Sequence, residues 1–235
     1  MSNSYLGAIE YFLHEGKENL EDCLRIAFEA AALRDVKTIV IFTGVGEGPR
    51  LAVEKYLSQP EFNDIKVIAV TFPYGQRFKD GKHIEISSET QDFLLVHDVP
   101  LLRAHLPFAP IAAHYRHHGI LGQDLTLIGN ALSIFGGSMS LCVQAALVAS
   151  DAGYLELGQH AICLTSDTAI IARTSPTQDF LTDFIIREIL CKPMALTVVK
   201  HEQILVPPSE SAPAEIRGAV TPVLLPPETR DQSDE

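Results

Sequence analysis

The sequence predicts an α/β protein with a mainly parallel sheet. Three apolar segments, at residues 7–13, 37–43 and 65–71, alternate with stretches in which apolar residues recur at helical spacing. The second and third segments are continuous β-branched runs, which is typical of parallel strands covered on both faces. The βαβαβ order over the first seventy residues predicts parallel strands joined by right-handed crossovers.

Two helices are predicted between these strands. Apolar residues recur at helical spacing over residues 20–34, and Asn19 is the expected N-cap of this helix. The second helix is expected over residues 50–58, with Pro49 in its first turn, where the fixed φ of proline is tolerated.

The alternation continues towards the C-terminus. Helical spacing returns over residues 124–135 and 139–152, and the small residues on all sides of the second stretch imply a helix buried against the sheet. Gly153 is its expected C-cap. Residues 159–164 and 168–173 are predicted to be two strands joined by a short turn.

Shorter elements complete the domain. Ser87 or Ser88 is expected to cap a helix that runs through residue 97, and residues 99–106 are predicted to be a strand. Residues 179–191 are expected to hold a short turn or helix and the last strand, which Lys192-Pro193 would stop.

Residues 1–200 are therefore predicted to form a single α/β domain, and residues 201–235 a proline-rich acidic tail. From Pro207 onward the tail has six acids, two arginines and no periodicity, which predicts a flexible segment. Two apolar clusters, at 204–206 and 220–225, leave open the alternative of an arm that docks on a neighbouring subunit.

Charge and composition exclude several classes of function. The chain has 18 basic and 30 acidic residues, a net charge of −12, which argues against nucleic acid and against anionic membrane surfaces as partners. It shows neither a secretory signal pattern nor an apolar run near the ~20 residues that span a bilayer. The four isolated cysteines are expected to be buried free thiols, so a cytoplasmic location is predicted.

Glycine- and hydroxyl-rich turns are the main candidates for a binding site. The turn at 43–49 follows a predicted strand and opens a helix, where backbone N–H groups can bind an anion. It matches neither the GxGxxG nor the Walker pattern, so a plain tight turn is the alternative. The loop at 72–83 adds local positive charge from Arg77, Lys79 and Lys82, which favours an anion unless the loop is merely solvated.

A metal site is the less favoured interpretation of the histidines. His114, His117 and His118 would share one helix face, and His105 would be a fourth ligand. Because no carboxylate or cysteine flanks them at a matching spacing, we predict a histidine-rich loop without metal.

Several strings resemble a known family. These are FGGSMSLCVQAALVASDAG from residue 135, the Asp167-Thr168-Ala169 triplet and the ending at 188–193, together with the turn at 43–46. They resemble stand-alone proteins of the pyruvate kinase C-terminal domain-like family, over roughly residues 7–194. The resemblance implies a three-layer α/β/α sandwich with a mainly parallel sheet.

The resemblance also implies a ligand. Some stand-alone members are thought to hold flavin mononucleotide (FMN), and carried over by position a phosphate would lie near Thr43, Gly44, Gly46, Gly136, Gly137, Ser138, Thr165, Ser166, Asp167 and Thr168. The chain departs from the family where a lysine is usual and Ser140 stands, and where an acid is usual and Gln144 stands. The loss of basic residues weakens an anion site.

We therefore predict a small-molecule binding protein that takes a phosphate-bearing ligand such as FMN at the carboxyl edge of the sheet and forms a homo-oligomer. The alternative is an oligomeric structural or regulatory protein with a degenerate pocket. A third hypothesis is an enzyme that uses Asp151, Asp167 or His105 as general acid or base, although no nucleophile–base pair can be placed from the sequence.

Overall fold

The structure is a computed structural model that describes residues 7–76, 83–108, 123–195, 204–206 and 221–223. Its main strands, in chain order, are β1 (Glu10–His14), β2 (Thr38–Phe42), β3 (Lys66–Thr71), β4 (Leu101–Arg103), β5 (His160–Leu164), β6 (Ala169–Arg173) and β7 (Ile185–Ala195). They form one sheet in the order β1-β7-β6-β5-β2-β3-β4.

The sheet is mixed but mostly parallel. β6 runs antiparallel to both of its neighbours, β5 and β7. The remaining pairs, β1 with β7, β5 with β2, β2 with β3 and β3 with β4, are all parallel. The predicted α/β class with a mainly parallel sheet is therefore confirmed.

Helices cover both faces of this sheet. They are α1 (Leu20–Arg34), α2 (Glu47–Ala52, continued by a π-helical turn at Val53–Leu57), α3 (Ser88–Val96), α4 (Gln123–Ser133), α5 (Met139–Asp151) and α6 (Phe180–Asp183). Helices α1, α2 and α3 pack on one face, and α5, with α4 beside it, packs on the other.

Strand β2 shows why the sequence pattern predicted burial on both faces. Ile39 and Ile41 belong to the core under α1, whereas Val40 and Phe42 belong to the core under α5. All residues of β2 are buried. An uninterrupted apolar run is what a strand with helices on both sides requires.

Helix α5 lies close to the sheet because its contact residues are small. Ala145, Ala146 and Ala149 are fully buried together with Cys142 and Val143. Gly153 follows the helix with φ +77°, as expected for a glycine that ends a helix. At the N-terminus of α3, Ser87 Oγ accepts a hydrogen bond from Thr90 N at 3.2 Å, as predicted.

Several boundaries differ from the prediction. Strand β4 is shorter than the predicted 99–106, and α2 begins at Glu47, three residues before the predicted start. Asn19 precedes α1, but its side chain donates to His14 O at 2.8 Å instead of capping the helix. The side chain thereby connects the end of β1 to the start of α1.

The predicted stop of the last strand at Lys192-Pro193 is wrong, since β7 continues to Ala195. The register of β7 with β6 ends at Cys191, whereas its register with β1 continues through Pro193, opposite Phe12. Beyond Cys191, β1 is the only paired neighbour of β7 among the described residues, so a missing N–H is tolerated there.

The position of β1 also differs from a simple βαβ order. β1 lies at the far edge, separated from β2 by β7, β6 and β5. In the tail, β8 (Ile204–Val206) pairs antiparallel with β9 (Thr221–Val223), so apolar residues from the two clusters singled out in the sequence pair with each other. The rest of the tail lies outside the described residues, and its flexibility stays a prediction.

The four cysteines are free and buried, as predicted. The Cys191 thiol donates to Cys23 Sγ at 3.5 Å, and this hydrogen bond, followed by burial, raises the pKa of Cys23. Burial raises the pKa of Cys163 to about 12 and that of Cys142 well above its ordinary value. Each shift disfavours the thiolate, which is the reactive form.

We therefore expect native protein at pH 8 to react with less than one equivalent of Ellman's reagent in the first minutes. Guanidinium-unfolded protein should react with four, one for each free cysteine. Leu157→Cys is the matched control, because Leu157 is 80% exposed and its replacement should add one fast equivalent. Rapid labelling of the unmutated native chain would contradict the buried arrangement.

Candidate functional site

The structure brings the three predicted turns to one edge of the sheet. Ile41 of β2 pairs in parallel with Leu164 of β5, so Thr43 and Thr165 leave the sheet at the same edge. The turn before α5 joins them, because Ser138 N donates to Thr168 Oγ1 at 3.0 Å. This is the carboxyl edge, where ligands of open α/β sheets usually bind.

A buried carboxylate occupies part of this edge. Asp167 is only 3% exposed. Its Oδ2 accepts a hydrogen bond from Gly16 N at 3.1 Å, and its Oδ1 accepts from Thr168 Oγ1 at 2.9 Å and Thr165 Oγ1 at 3.4 Å. These donors compensate the loss of hydration of the carboxylate. The hydroxyls of Thr165 and Thr168, two residues of the predicted phosphate site, thus already donate to the protein's own anion.

The turn before α5 is shaped by close packing. Gly137 has φ +58°, and a Cβ there would lie 2.4 Å from Thr168 Oγ1 and 2.6 Å from Pro193 Cδ. Gly136 has φ +78°, but a Cβ there would meet Lys192 Nζ at 3.5 Å, an ordinary contact. Gly137 is therefore required by its neighbours, whereas the space beside Gly136 contains an ammonium group.

Lys192 is the functional candidate that the sequence prediction missed. Its Nζ donates to Phe135 O at 2.7 Å and lies 5.6 Å from the ring centroid of Tyr11. The family resemblance located no lysine here, because the family's lysine would stand at position 140. A usable signal was present, since Lys192 stands near the end of an apolar strand, β7, that also ends at the carboxyl edge.

The turn after β2 is closed by side chains. Thr43 Oγ1 accepts from Gly46 N at 2.9 Å. A Cβ on Gly44 would meet Ile84 at 3.0 Å, and one on Gly46 would meet Thr90 at 2.6 Å. The segment that leads into α3 therefore covers this turn, so its glycines have a steric explanation that needs no ligand.

Charge divides the carboxyl edge into two sides. On the side of α1 and α2, a groove of about 510 Å³ is lined by Lys17, Glu18, Leu20, Glu21, Asp22, Glu47 and Leu51. Four carboxylates against one ammonium disfavour an anionic ligand there. The side of Lys192 and α5 is the more favourable place for a phosphate.

The residues where the chain departs from the family have structural partners. Gln144 is buried, its Oε1 accepts from Phe108 N at 2.9 Å, and its Nε2 donates to Ser140 O at 3.2 Å. The amide therefore holds the segment after β4 against α5. Because the Gln144 side chain is neutral, its burial does not carry the cost of burying a charge.

The acid and base candidates of the enzyme hypothesis are not brought together. Asp151 Oδ1 and Oδ2 accept from Thr177 N at 2.9 Å and Thr177 Oγ1 at 2.6 Å, which ties the end of α5 to the turn before α6. Asp167 lies at the opposite end of α5, and a 13-residue helix is about 20 Å long. His105 is exposed.

Other site types find no support within the described residues. No group of three or more His, Cys, Asp or Glu side chains there is arranged to hold a metal ion. His114, His117 and His118, like Arg77, Lys79 and Lys82, lie outside the described residues. Among the helices of the described part, none is long and apolar enough to cross a membrane.

A groove of about 830 Å³ lies at the opposite, amino edge of the sheet, and its walls include Ile65, Leu95, Val99, Pro100 and Tyr154. It contains none of the predicted site residues.

No protein-family model matches the sequence. The geometry of the carboxyl edge is therefore the basis for a functional argument.

Gly137→Ala should destabilise the protein strongly. The αL backbone costs about 1–2 kcal/mol, and the clash with Thr168 and Pro193 adds about 1–3 kcal/mol. Gly153→Ala is the matched control, because Gly153 has a similar φ of +77° with nothing within 4 Å of the added Cβ. Urea unfolding measures both, and equal losses would contradict the packed turn.

Asp167→Ala should lower the free energy of unfolding by about 3 kcal/mol, because it leaves buried donors without an acceptor. Asp167→Asn retains one acceptor oxygen for the hydroxyls and should cost less. Asp183→Ala on exposed α6 is the control and should change stability by no more than about 0.5 kcal/mol. A neutral effect of Asp167→Ala in urea unfolding would contradict the structural role.

Proposed function

We propose that this protein binds a small molecule that carries a phosphate, and that the phosphate lies beside Gly136, at the N-terminus of α5, with Lys192 as its counter-charge. FMN is the first candidate, since the resemblance to the pyruvate kinase C-terminal domain-like family implies it. The family's specific fold is part of the same proposal.

The position of the Lys192 ammonium carries the proposal. It lies next to a glycine turn at the start of a 13-residue helix whose N-cap residue, Ser138, makes no side-chain capping bond. A helix N-terminus has partial positive charge, and a neighbouring ammonium adds to the attraction for an anion. The turns at 43–46 and 165–168 then shape the edge without contacting the phosphate themselves.

Two aromatic side chains give the ligand's ring a place to stack. Tyr11 and Phe135 are 49% and 43% exposed, and Lys192 contacts both residues. Exposed aromatic faces next to a cation suit a planar ring joined to a phosphate. This pairing favours a flavin nucleotide over inorganic phosphate.

A second candidate is the oligomeric structural or regulatory protein with a degenerate pocket. The Asp167 network favours it, because donors at the carboxyl edge are already occupied by a carboxylate. The two candidates differ in whether the purified protein has measurable affinity for a phosphate-bearing ligand.

Titration with FMN, followed by quenching of flavin fluorescence, tests the proposal. We expect Lys192→Gln to raise the dissociation constant about tenfold, since a charge-assisted contact contributes about 1.5–3 kcal/mol and tenfold corresponds to about 1.4 kcal/mol. Lys66→Gln is the matched control, because Lys66 is an exposed lysine at the amino end of β3. It should leave the constant unchanged.

Denaturation of freshly purified protein, followed by mass spectrometry, identifies any nucleotide that copurifies. A colourless protein that releases no nucleotide and does not quench added FMN would exclude the flavin. Equal weakening by the two lysine variants would show general charge attraction and contradict the assigned position.

A further inference from the structure

Strand β1 is an edge strand with an unusual surface. It forms one end of the described sheet, with β7 as its paired neighbour. Phe12 is buried, but Ile9, Tyr11 and Leu13 are 39%, 49% and 48% exposed. Edge strands are normally protected by charged residues, proline or bulges, because their free backbone groups can pair with another chain.

Of these protective features, β1 has only the charge of Glu10 at its start. The segment from Ile9 to Leu13 contains no proline or lysine, and its register with β7 keeps one constant offset from Glu10 to His14. The alternation of β1 places Tyr11 and Leu13 on the face opposite Phe12. An edge without a bulge, with the apolar side chains of Tyr11 and Leu13 exposed at its centre, is therefore available for pairing.

We propose that β1 pairs antiparallel with β1 of a second copy of this chain, so that one continuous sheet runs through a two-fold symmetric dimer. With Phe12 on the two-fold axis, Tyr11 of each copy faces Leu13 of the other, and Glu10 faces His14. The sequence of the strand is thus complementary to itself in this register. Self-complementarity is what a two-fold interface requires.

Both cross-strand pairs are favourable in this arrangement. Tyr11 opposite Leu13 removes apolar surface of both side chains from water, and Glu10 opposite His14 avoids placing like charges against each other. Glu10 already contacts Arg25 at 3.3 Å, so its carboxylate is held near the strand. Phe135, linked to Tyr11 through Lys192, extends the apolar surface beside the strand.

The opposite edge of the sheet is a weaker candidate. Strand β4 has only three residues and ends in Arg103, and its residues are partly covered. A three-residue pairing offers fewer backbone hydrogen bonds, and a charged residue disfavours it. The contact with a second copy is therefore assigned to β1. Because it shares Tyr11 and Phe135 with the proposed ligand site, it is tested without added ligand.

Light scattering after size-exclusion chromatography of the full chain tests the contact. We expect a mass of about twice the 25.7 kDa of one chain. Leu13→Lys should weaken dimerisation at least tenfold, because it places an ammonium in the apolar pair. Leu33→Lys, at a 75% exposed position on α1, is the matched control and should leave the mass unchanged.

Disulfide trapping tests the register. All four native cysteines are buried, so introduced thiols dominate mild oxidation. A mixture of Tyr11→Cys and Leu13→Cys proteins should give cross-linked heterodimers, whereas either protein alone should cross-link at least tenfold less. Circular dichroism of each variant shows that it is folded.

Three outcomes would overturn the proposal. One is a monomer at tens of micromolar. Another is a dimer that Leu13→Lys does not weaken and whose mixed cysteine variants do not cross-link. The third is a monomer that becomes a dimer when residues 201–235 are deleted, which would assign the β1 edge to the chain's own tail.

Discussion

The arrangement of the carboxyl edge depends on one buried carboxylate. Asp167, in the turn between β5 and β6, accepts a hydrogen bond from Gly16 in the turn after β1. It also accepts one from Thr168, whose hydroxyl in turn accepts from Ser138 N at the start of α5. These contacts join segments that are 151 and 30 residues apart in the chain. A buried charge needs such donors, so the carboxylate and the turns stabilise one another.

The hydrogen bonds of Asp167 also help to explain why the two sides of the carboxyl edge differ in charge and in free donors. Around Asp167, hydrogen-bond donors of the carboxyl edge already bind the Asp167 carboxylate. At the N-termini of α1 and α2, acidic residues line the groove. Lys192 is brought by β7 to the other side, next to Gly136. The proposed phosphate position follows from this asymmetry, because an anion is attracted to the helix N-terminus that has a cation beside it.

The glycines at the carboxyl edge show what a sequence pattern predicts and what it does not. A glycine in a turn indicates an unusual backbone conformation or a close neighbour, but it does not indicate what lies beside it. At Gly46 the neighbour is Thr90, at Gly137 it is Thr168 and Pro193, and at Gly136 it is a lysine at ordinary contact distance. The three glycines therefore look alike in the sequence while their surroundings differ. Locating the turns at one edge was possible from the sequence, because each follows a strand or opens a helix.

The sequence by itself determined the fold class, most helices and strands, the faces they bury and the burial of the cysteines. These features depend on local periodicity and on the chemistry of neighbouring residues, as in β2 and α5. Only the tertiary structure decided the place of β1 at the far edge, the continuation of β7 past Pro193, the partners of Asp167 and the position of Lys192. Each of these depends on pairing between segments far apart in the chain, and local patterns do not specify which strands become neighbours.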